Sequence, residues 1–445
     1  MCYTFQGEFI TKESETYESS RLLWNRAYNF KPKGIIFCKT VFDVCTAVNF
    51  VRSCNERFTV CCGGHHMIGA CSMNDGYVIN VSRLNDCIVD LRNCTITVGC
   101  GGRNRTLCGE CDRNGYLFPS RDSLGGVCSW CLGGGIGNCC RHNGLGCDQL
   151  LEIEMVDYRG DIIIANDYCN RDLFWAVRGA GLCNFGIVTS LVFRLREQIQ
   201  TITYFEVAIS HSSRTNIIDF FDVWQNSISS FDWSMNCHAE ISNTFHMGLC
   251  VRSYGISFLS VEQTRDQLRV FTSIRGLTIT VEEKRYTSYL NQLERCYSPY
   301  EYYNATGRFV NQKYTISELE GITDIVYRRR PEGSIFTSIQ LDGLGGAISS
   351  FDKSATSYYY RDASYLMTLK TQWFDSSFQR ENNYWFDKKF DYIHDLTYGS
   401  YILEPYGKLK NYEVEYYGEN VHMLREIKYR YDPYNLFRLD QGITI

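Results

Sequence analysis

The 445-residue sequence predicts an α+β fold of two closely packed domains. From about residue 34 to 200, short β-branched runs alternate with glycine-rich turns and helical segments. From Glu197 to about Leu403 glycine thins out and tyrosine rises, and long alternating stretches suggest antiparallel strands interleaved with helices. No linker rich in Pro or Ser separates the halves, so they are expected to pack directly.

Taken in order, GIIFCKT from Gly34 reads as a strand, and Val41, Val44, Val48 and Val51 then recur at helical spacing. RFTVCC returns as a buried strand, and YVINVS and TITVGCG add two more. IEMVDYRGDIIIAN predicts a hairpin closed at Arg159-Gly160, and DLFWAVR looks helical. In the second half TITYFEVAIS, NTFHMGLCVRSYGIS and GRFVNQKYTIS each read as a strand. Near the end, Val421, Leu424, Ile427 and Tyr431 share one helical face, and Asp432-Pro433 stops the helix.

Composition excludes several classes. Apolar residues at 44% and charged residues at 21% rule out wholesale disorder. Forty-five basic against fifty acidic residues leave a net charge of -5, without the positive footprint that a phosphate backbone needs, so nucleic acid is not an expected partner. No window holds eighteen consecutive apolar residues, so no membrane span is expected. The opening MCYTFQGEFITKESE lacks the apolar stretch of a secretory signal, which favours an intracellular, cytoplasmic location with export left open. Nineteen of the 22 cysteines lie between Cys2 and Cys183, and without an export signal they are expected as reduced, buried thiols. Cys108-x-x-Cys111 and Cys128-x-x-Cys131, sixteen residues apart, have the spacing of a four-cysteine zinc site. The second pair sits inside a glycine run that is committed to another task, so no metal is expected.

Glycine gathers in three places: Gly63-Gly64 before His65-His66, Gly125-Gly126 through Gly133-Gly134-Gly135, and Gly179-Ala180-Gly181. Such turns leave backbone N–H groups bare and can approach a phosphate closely, which suits a cofactor with a pyrophosphate. A nicotinamide fold does not explain them, because Gly179-Ala180-Gly181 follows a helical segment rather than a strand.

The order of these motifs resembles the flavin-linked oxidases of the berberine bridge enzyme type, whose PCMH-type FAD domain is shared with the vanillyl-alcohol oxidase superfamily. The likeness rests on Pro32, on Gly63-Gly64-His65 with Gly69 and Ser72, and on Gly126 with Leu132-Gly133-Gly134-Gly135. It continues through Arg141-His142-Asn143-Gly144-Leu145 with Asp148, Asp172 to Gly179, and Asn184 to Val188. It resumes at Tyr417-Gly418, Lys428, Asp432-Pro433, Asn435 and Phe437, and is faint in between, best at Gly345-Gly346-Ala347 and Tyr360-Arg361-Asp362.

The resemblance implies a two-subdomain FAD-binding domain over residues 1–200, a substrate domain with an antiparallel sheet covered by helices over 201–410, and a segment, 411–445, that returns to the first domain. It implies FAD bonded covalently through His65, with Cys62, Gly63, Gly64, His66, Gly69, Ser72, Asp122, Gly125, Gly126, Cys128, Gly133, Gly134, Ile187 and Val188 around the cofactor. Such a link would prevent cofactor loss and make the flavin a stronger oxidant.

Several residues depart from the family pattern. Where many relatives carry a second flavin link through cysteine, this chain has Asp122, so one covalent bond is expected. Cys61 replaces a usual arginine, His66 a small polar residue, and Gly125 a branched residue near the oxygen-reactive edge of the ring. The family's tyrosine base falls at Tyr401-Ile402-Leu403-Glu404, where the tyrosine is Glu404. Glu404 is thus a candidate base, if burial raises its pKa, or a loop residue before Pro405. Tyr359, Tyr360 and His394 are the other candidates.

The expected activity is hydride transfer from an alcohol, sugar or amine-adjacent carbon to FAD, with oxygen or another acceptor taking the electrons. The tyrosine-rich middle domain could stack on a sugar or phenolic ring. The partners are a small-molecule substrate and an electron acceptor, with a homo-oligomer open. The alternative is a structural or assembly protein that keeps the fold with weak or lost turnover.

Overall fold

The computed structural model describes residues 4–121, 125–195, 199, 201–294 and 301–445. Three sheets organise it. The first contains β1 (Glu8–Thr11), β2 (Gly34–Phe37), β3 (Phe58–Cys61) and β4 (Tyr77–Asn80), in the order β1-β2-β4-β3. Both β2 and β3 run parallel to β4, because the helix Val41–Ser53 makes the crossover between them. That helix starts at a capping box in which the Thr40 hydroxyl accepts from the Asp43 amide, and it buries Val44, Val48 and Val51.

The second sheet is antiparallel: β5 (Cys87–Asp90), β6 (Thr95–Gly99), β7 (Leu150–Val156), β8 (Ile162–Asn166) and β9 (Ile187–Arg194), ordered β5-β6-β9-β7-β8. β7 and β8 form the expected hairpin, with Gly160 at φ +85° in its turn. The helix Arg171–Ala180 covers DLFWAVR, as read from the sequence.

The third sheet has eight antiparallel strands: β10 (Thr201–Ser210), β11 (Met235–Thr244), β12 (Gly248–Ser257), β13 (Thr278–Arg285), β14 (Tyr302–Val310), β15 (Ser334–Gly343), β16 (Tyr365–Trp373) and β17 (Tyr398–Ser400). Their order is β13-β10-β12-β11-β15-β16-β14-β17. Side chains alternate across the sheet. Ile339, Leu341 and Leu369 are fully buried on the face packed by helices Arg214–Ser227 and Ile316–Tyr327, where Trp224 meets Tyr365 edge to face at 5.2 Å. Gln340, Thr368 and Lys370 point the other way, into a cavity.

Two expected strands are corrected. NTFHMGLCVRSYGIS is a hairpin: β11 ends at Thr244 and β12 starts at Gly248, which sits at φ +66°. GRFVNQKYTIS stops being a strand at Val310, because Thr315 accepts from the Glu318 amide and caps the helix Ile316–Tyr327. The last helix, Val421–Tyr431, ends before Asp432-Pro433 as expected.

Candidate active site

β3 delivers the chain into Cys62-Gly63-Gly64-His65-His66, which lines a cavity of about 570 Å³. Gly64 adopts φ +73°, so the turn needs a residue without a side chain there. The His65 imidazole stacks on Trp24, with ring centres 4.6 Å apart and planes at 26°, which orients the ring. His66 is held neutral: burial pushes its pKa down to about 4, and its Nδ1 accepts from the amides of Ile68 and Ala70. Its folded pKa lies below the value of about 6.5 in the unfolded chain, so the unfolded state takes up the proton first. Stability is therefore expected to fall as pH drops from about 6.5 towards 4, and thermal unfolding of His66→Gln should lack that part of the decline.

The opposite wall is the third sheet and the chain after β17. Tyr303 and Ala305 from β14, Gln340 from β15, and Thr368 and Lys370 from β16 face the cavity, with Ala305 opposite Lys370 and Gln340 opposite Thr368. Glu404 stands beside them, only 3% exposed. One carboxylate oxygen pairs with Arg121 Nη1 at 2.8 Å, and the other accepts the Thr368 hydroxyl at 2.6 Å. Arg121 also donates to Asp342 at 2.8 Å, and Asp342 holds His238 Nδ1 at 2.7 Å. Burial opposes the charge on Asp342, but Arg121 and His238 outweigh it and hold the carboxyl down at about 2. Lys370 lies 5.6 Å over the Tyr303 ring, and burial lowers its pKa while Glu301, Glu240 and Glu404 act against that.

The cavity wall contains Cys62, Gly63, Gly64, His65, His66, Ser72, Gly125, Gly126 and Glu404 of the residues anticipated from the sequence. Gly69, at φ +72°, lies just behind it, packed on Tyr28 and Phe30. Cys128, Gly133, Gly134, Ile187 and Val188 are not in the wall. Gly133 and Gly134 instead let the first half of the chain press on the second: a Cβ would meet Leu403 at 2.5 Å or Tyr358 at 2.5 Å. Ile187 and Val188 are buried in β9. Asp122 lies outside the described residues.

Glu404 is a buried, paired carboxylate rather than a loop residue open to water. Tyr359, Tyr360 and His394 are away from the cavity; Tyr360 donates to the Glu415 carbonyl and stacks on Phe309 at 4.3 Å. Sequence reasoning missed Arg121, Glu301, Tyr303, Gln340, Thr368 and Lys370. Among the described residues no two cysteines form a disulfide, and no group of three or more His, Cys, Asp or Glu is disposed to hold a metal ion. Nor is any described helix long and apolar enough to cross a membrane.

Residues 32–166 match the family model described as FAD binding domain, and residues 400–444 the one described as berberine and berberine like. The FAD-linked oxidoreductase YvdP of Bacillus subtilis is 28% identical, over 98% of this chain and 98% of its own. Among solved structures, a variant of BBE-like 1 of Physcomitrella patens superposes with a TM-score of 0.91 at 19% identity, covering 99% of this chain and 97% of that one. Glucooligosaccharide oxidase from Acremonium strictum, whose FAD is 6-S-cysteinyl, 8α-N1-histidyl, has a TM-score of 0.89 at 21% identity, covering 98% and 97%. The chain thus carries an FAD-binding domain and a berberine-like C-terminal segment, and it is similar over nearly its whole length to FAD-linked oxidoreductases.

The cavity fits a flavin nucleotide on the chemistry of its own wall. Asn104, 1% exposed at the start of the helix Asn104–Arg113, lines the cavity with neither its amide nitrogen nor its oxygen satisfied among the described residues. A buried amide left without partners costs about 1–3 kcal/mol, which a ligand with its own donors and acceptors would recover. Gly63, Gly64, Gly125 and Gly126 leave backbone on the wall where side chains would intrude.

The RHNGL motif has a different task. Arg141, 2% exposed, donates to the carbonyls of Phe231 and Met235 at 2.9 and 2.8 Å and to that of Leu344. Asp148 forms a fully buried pair with Arg361 at 2.7 Å. These bonds tie the region of the second sheet to the third sheet and fix the cavity walls against each other.

Proposed function

We propose that the protein oxidises a CH–OH or amine-adjacent CH group of a small polar substrate, with the flavin held through His65 alone. The observation that supports this most is one cavity that joins the Gly-Gly-His turn to a sheet face bearing Lys370, Tyr303, Gln340 and Glu404. Bound FAD would supply the two-electron acceptor, later reoxidised by oxygen or another acceptor. His65 would tether it, and Cys62 to His66, Asn104, Gly125 and Gly126 would surround it.

Proton removal falls to the sheet face. Glu404 has both oxygens engaged, by Arg121 and Thr368, and serves best as a fixed negative charge. Lys370 is the better acceptor for a substrate hydroxyl proton, because burial favours its neutral amine. Tyr303 and Gln340 offer a ring face and an amide to a polyhydroxyl substrate, and the kinship in fold with an oligosaccharide oxidase points the same way.

Intact mass after acid denaturation should exceed the chain mass by one FAD, and His65→Ala should remove the increment. Anaerobic mixing with a panel of alcohols, mono- and oligosaccharides and amines should bleach the flavin's visible absorbance with at least one member. A flavinylated protein that no member bleaches would favour an assembly role for the fold.

A further inference from the structure

Between the helix Tyr17–Ser20 and β2, a short strap at Trp24-Asn25-Arg26 is fastened to both walls of the cavity. On one side the Trp24 amide donates to the Gly64 carbonyl at 3.1 Å, and Asn25 Nδ2 donates to the Met67 carbonyl at 2.8 Å. On the other, Asn25 Nδ2 donates to the Tyr303 carbonyl at 2.9 Å, Asn25 Oδ1 accepts from the Tyr303 amide at 3.4 Å, and the Arg26 amide donates to the Glu301 carbonyl at 2.7 Å. Asn25 is 0% exposed, so its bonds are shielded from water. Together they hold the half-buried Trp24 at the cavity wall, with its indole on the His65 imidazole. The proposed oxidation gives Trp24 no task.

Granting the attachment of FAD through His65, we propose that Trp24 is the residue that positions that imidazole for bond formation. An unrestrained imidazole turns about its side-chain bonds, and its two nitrogens then point in many directions. Stacking takes a face of the ring, whereas the nitrogens lie on its edge, so the indole fixes the plane without occupying the reacting atom. The Cδ2 edge lies against Gly63, 3.3 Å from where a Cβ would stand, which limits rotation within that plane.

In the joining step a His65 nitrogen bonds to the 8α-methyl carbon of the flavin. One methyl C–H bond and the His65 N–H bond break, and the two protons and two electrons so released pass to the flavin ring. Dioxygen then takes both protons and both electrons and leaves as hydrogen peroxide. Trp24 exchanges neither proton nor electron in this step. It acts through the direction in which the imidazole is held, and Asn25 and Arg26 keep that direction fixed relative to β14 on the opposite wall.

Bond formation, rather than turnover, is the readout. Full-length chain made in a riboflavin-starved host is given FAD in air, and its intact mass after acid denaturation is followed in time. FAD retained through gel filtration before denaturation reads binding apart from joining. The unaltered chain should gain one FAD. Trp24→Leu should retain FAD but gain the covalent increment at least about tenfold more slowly, because a reacting group held out of line loses the advantage of orientation. Trp24→Phe, which keeps a stacking ring, should recover most of the rate. Equal rates in Trp24→Leu and the unaltered chain would overturn the inference and leave the His65 attachment standing. So would a loss of FAD retention in Trp24→Leu that accounts for its slower gain, or a Trp24→Phe as slow as Trp24→Leu. No mass gain in the unaltered chain would instead remove the His65 attachment, and the role of Trp24 with it. Where Trp24→Leu does not fold, Trp24→Met gives the same comparison.

Discussion

Replacing Lys370 with methionine is expected to slow substrate-driven flavin reduction by about 10²–10⁴-fold, the usual loss when a positioned base is removed. Lys370 projects from β16 into the cavity, in the row that holds Thr368, beside Tyr303 and Ala305 of β14. Methionine keeps the unbranched stem and removes the amine, so the change tests chemistry more than packing. Burial lowers the lysine's pKa. A base must be neutral to accept a proton, so the rate of the unaltered protein should rise with pH up to that lowered pKa and then level off. The methionine variant should lose that rising limb. Glu404→Gln removes the charge that Arg121 and Thr368 hold in place, and should lower the rate while leaving the limb at or near its position. Stopped-flow reduction across pH, with the best substrate of the panel, separates the two roles. If the limb survives in Lys370→Met and vanishes in Glu404→Gln, the carboxylate is the base.

Why Lys370 escaped notice in the sequence is physical. YLMTLKTQW alternates like any half-buried strand, and a lysine at its polar phase reads as a solvent-facing residue. Only the docking of the Gly-Gly-His region over that face turns the polar phase into a cavity wall. The same holds for Gln340 on β15 and Tyr303 on β14. By contrast, features written in local pattern were legible: the helix Val41–Ser53 from its valines, the hairpin at Gly160, the stop at Asp432-Pro433, and the turn that carries His65. NTFHMGLCVRSYGIS misled because the three-residue loop Phe245-His246-Met247 contains none of the usual hairpin dipeptides, so the alternation ran unbroken through the bend. Gly133 and Gly134 show a further limit. A glycine needed for close approach looks the same in sequence whether a cofactor or, as here, Leu403 and Tyr358 make the approach.

The largest expected loss of stability comes from Asp432→Ala, at about 3–5 kcal/mol, because it leaves a buried ammonium without its counter-charge. Lys428 and Asp432 are both 0% exposed and 2.6 Å apart, one helical turn from each other at the end of the helix Val421–Tyr431. Lys428 also donates to the carbonyls of Asn184 at 2.7 Å and Phe437 at 2.8 Å, while Asp432 accepts from the amides of Leu436 and Phe437. Asn184 in turn accepts from the amide of Ile443. The cluster thus anchors the C-terminal segment to the stretch between the helix Arg171–Ala180 and β9, and the cavity borrows Tyr416 and Arg438 to Gln441 from that anchored segment. Burial lowers the pKa of Lys428 even with Asp432 beside it, which shows how costly the charge is in this place. Removing only the carboxylate should therefore cost more than removing both charges. Urea unfolding should place Lys428→Met/Asp432→Leu well above Asp432→Ala in stability, because an apolar pair removes the unpaired charge along with the pair. Equal losses in the single and double variants would assign the stability to the amide bonds of Leu436 and Phe437 rather than to charge neutralisation. On the proposed attachment of the flavin through His65, the same measurement on flavin-loaded protein should show the anchor's loss as weaker flavin retention on unfolding only in the His65→Ala background.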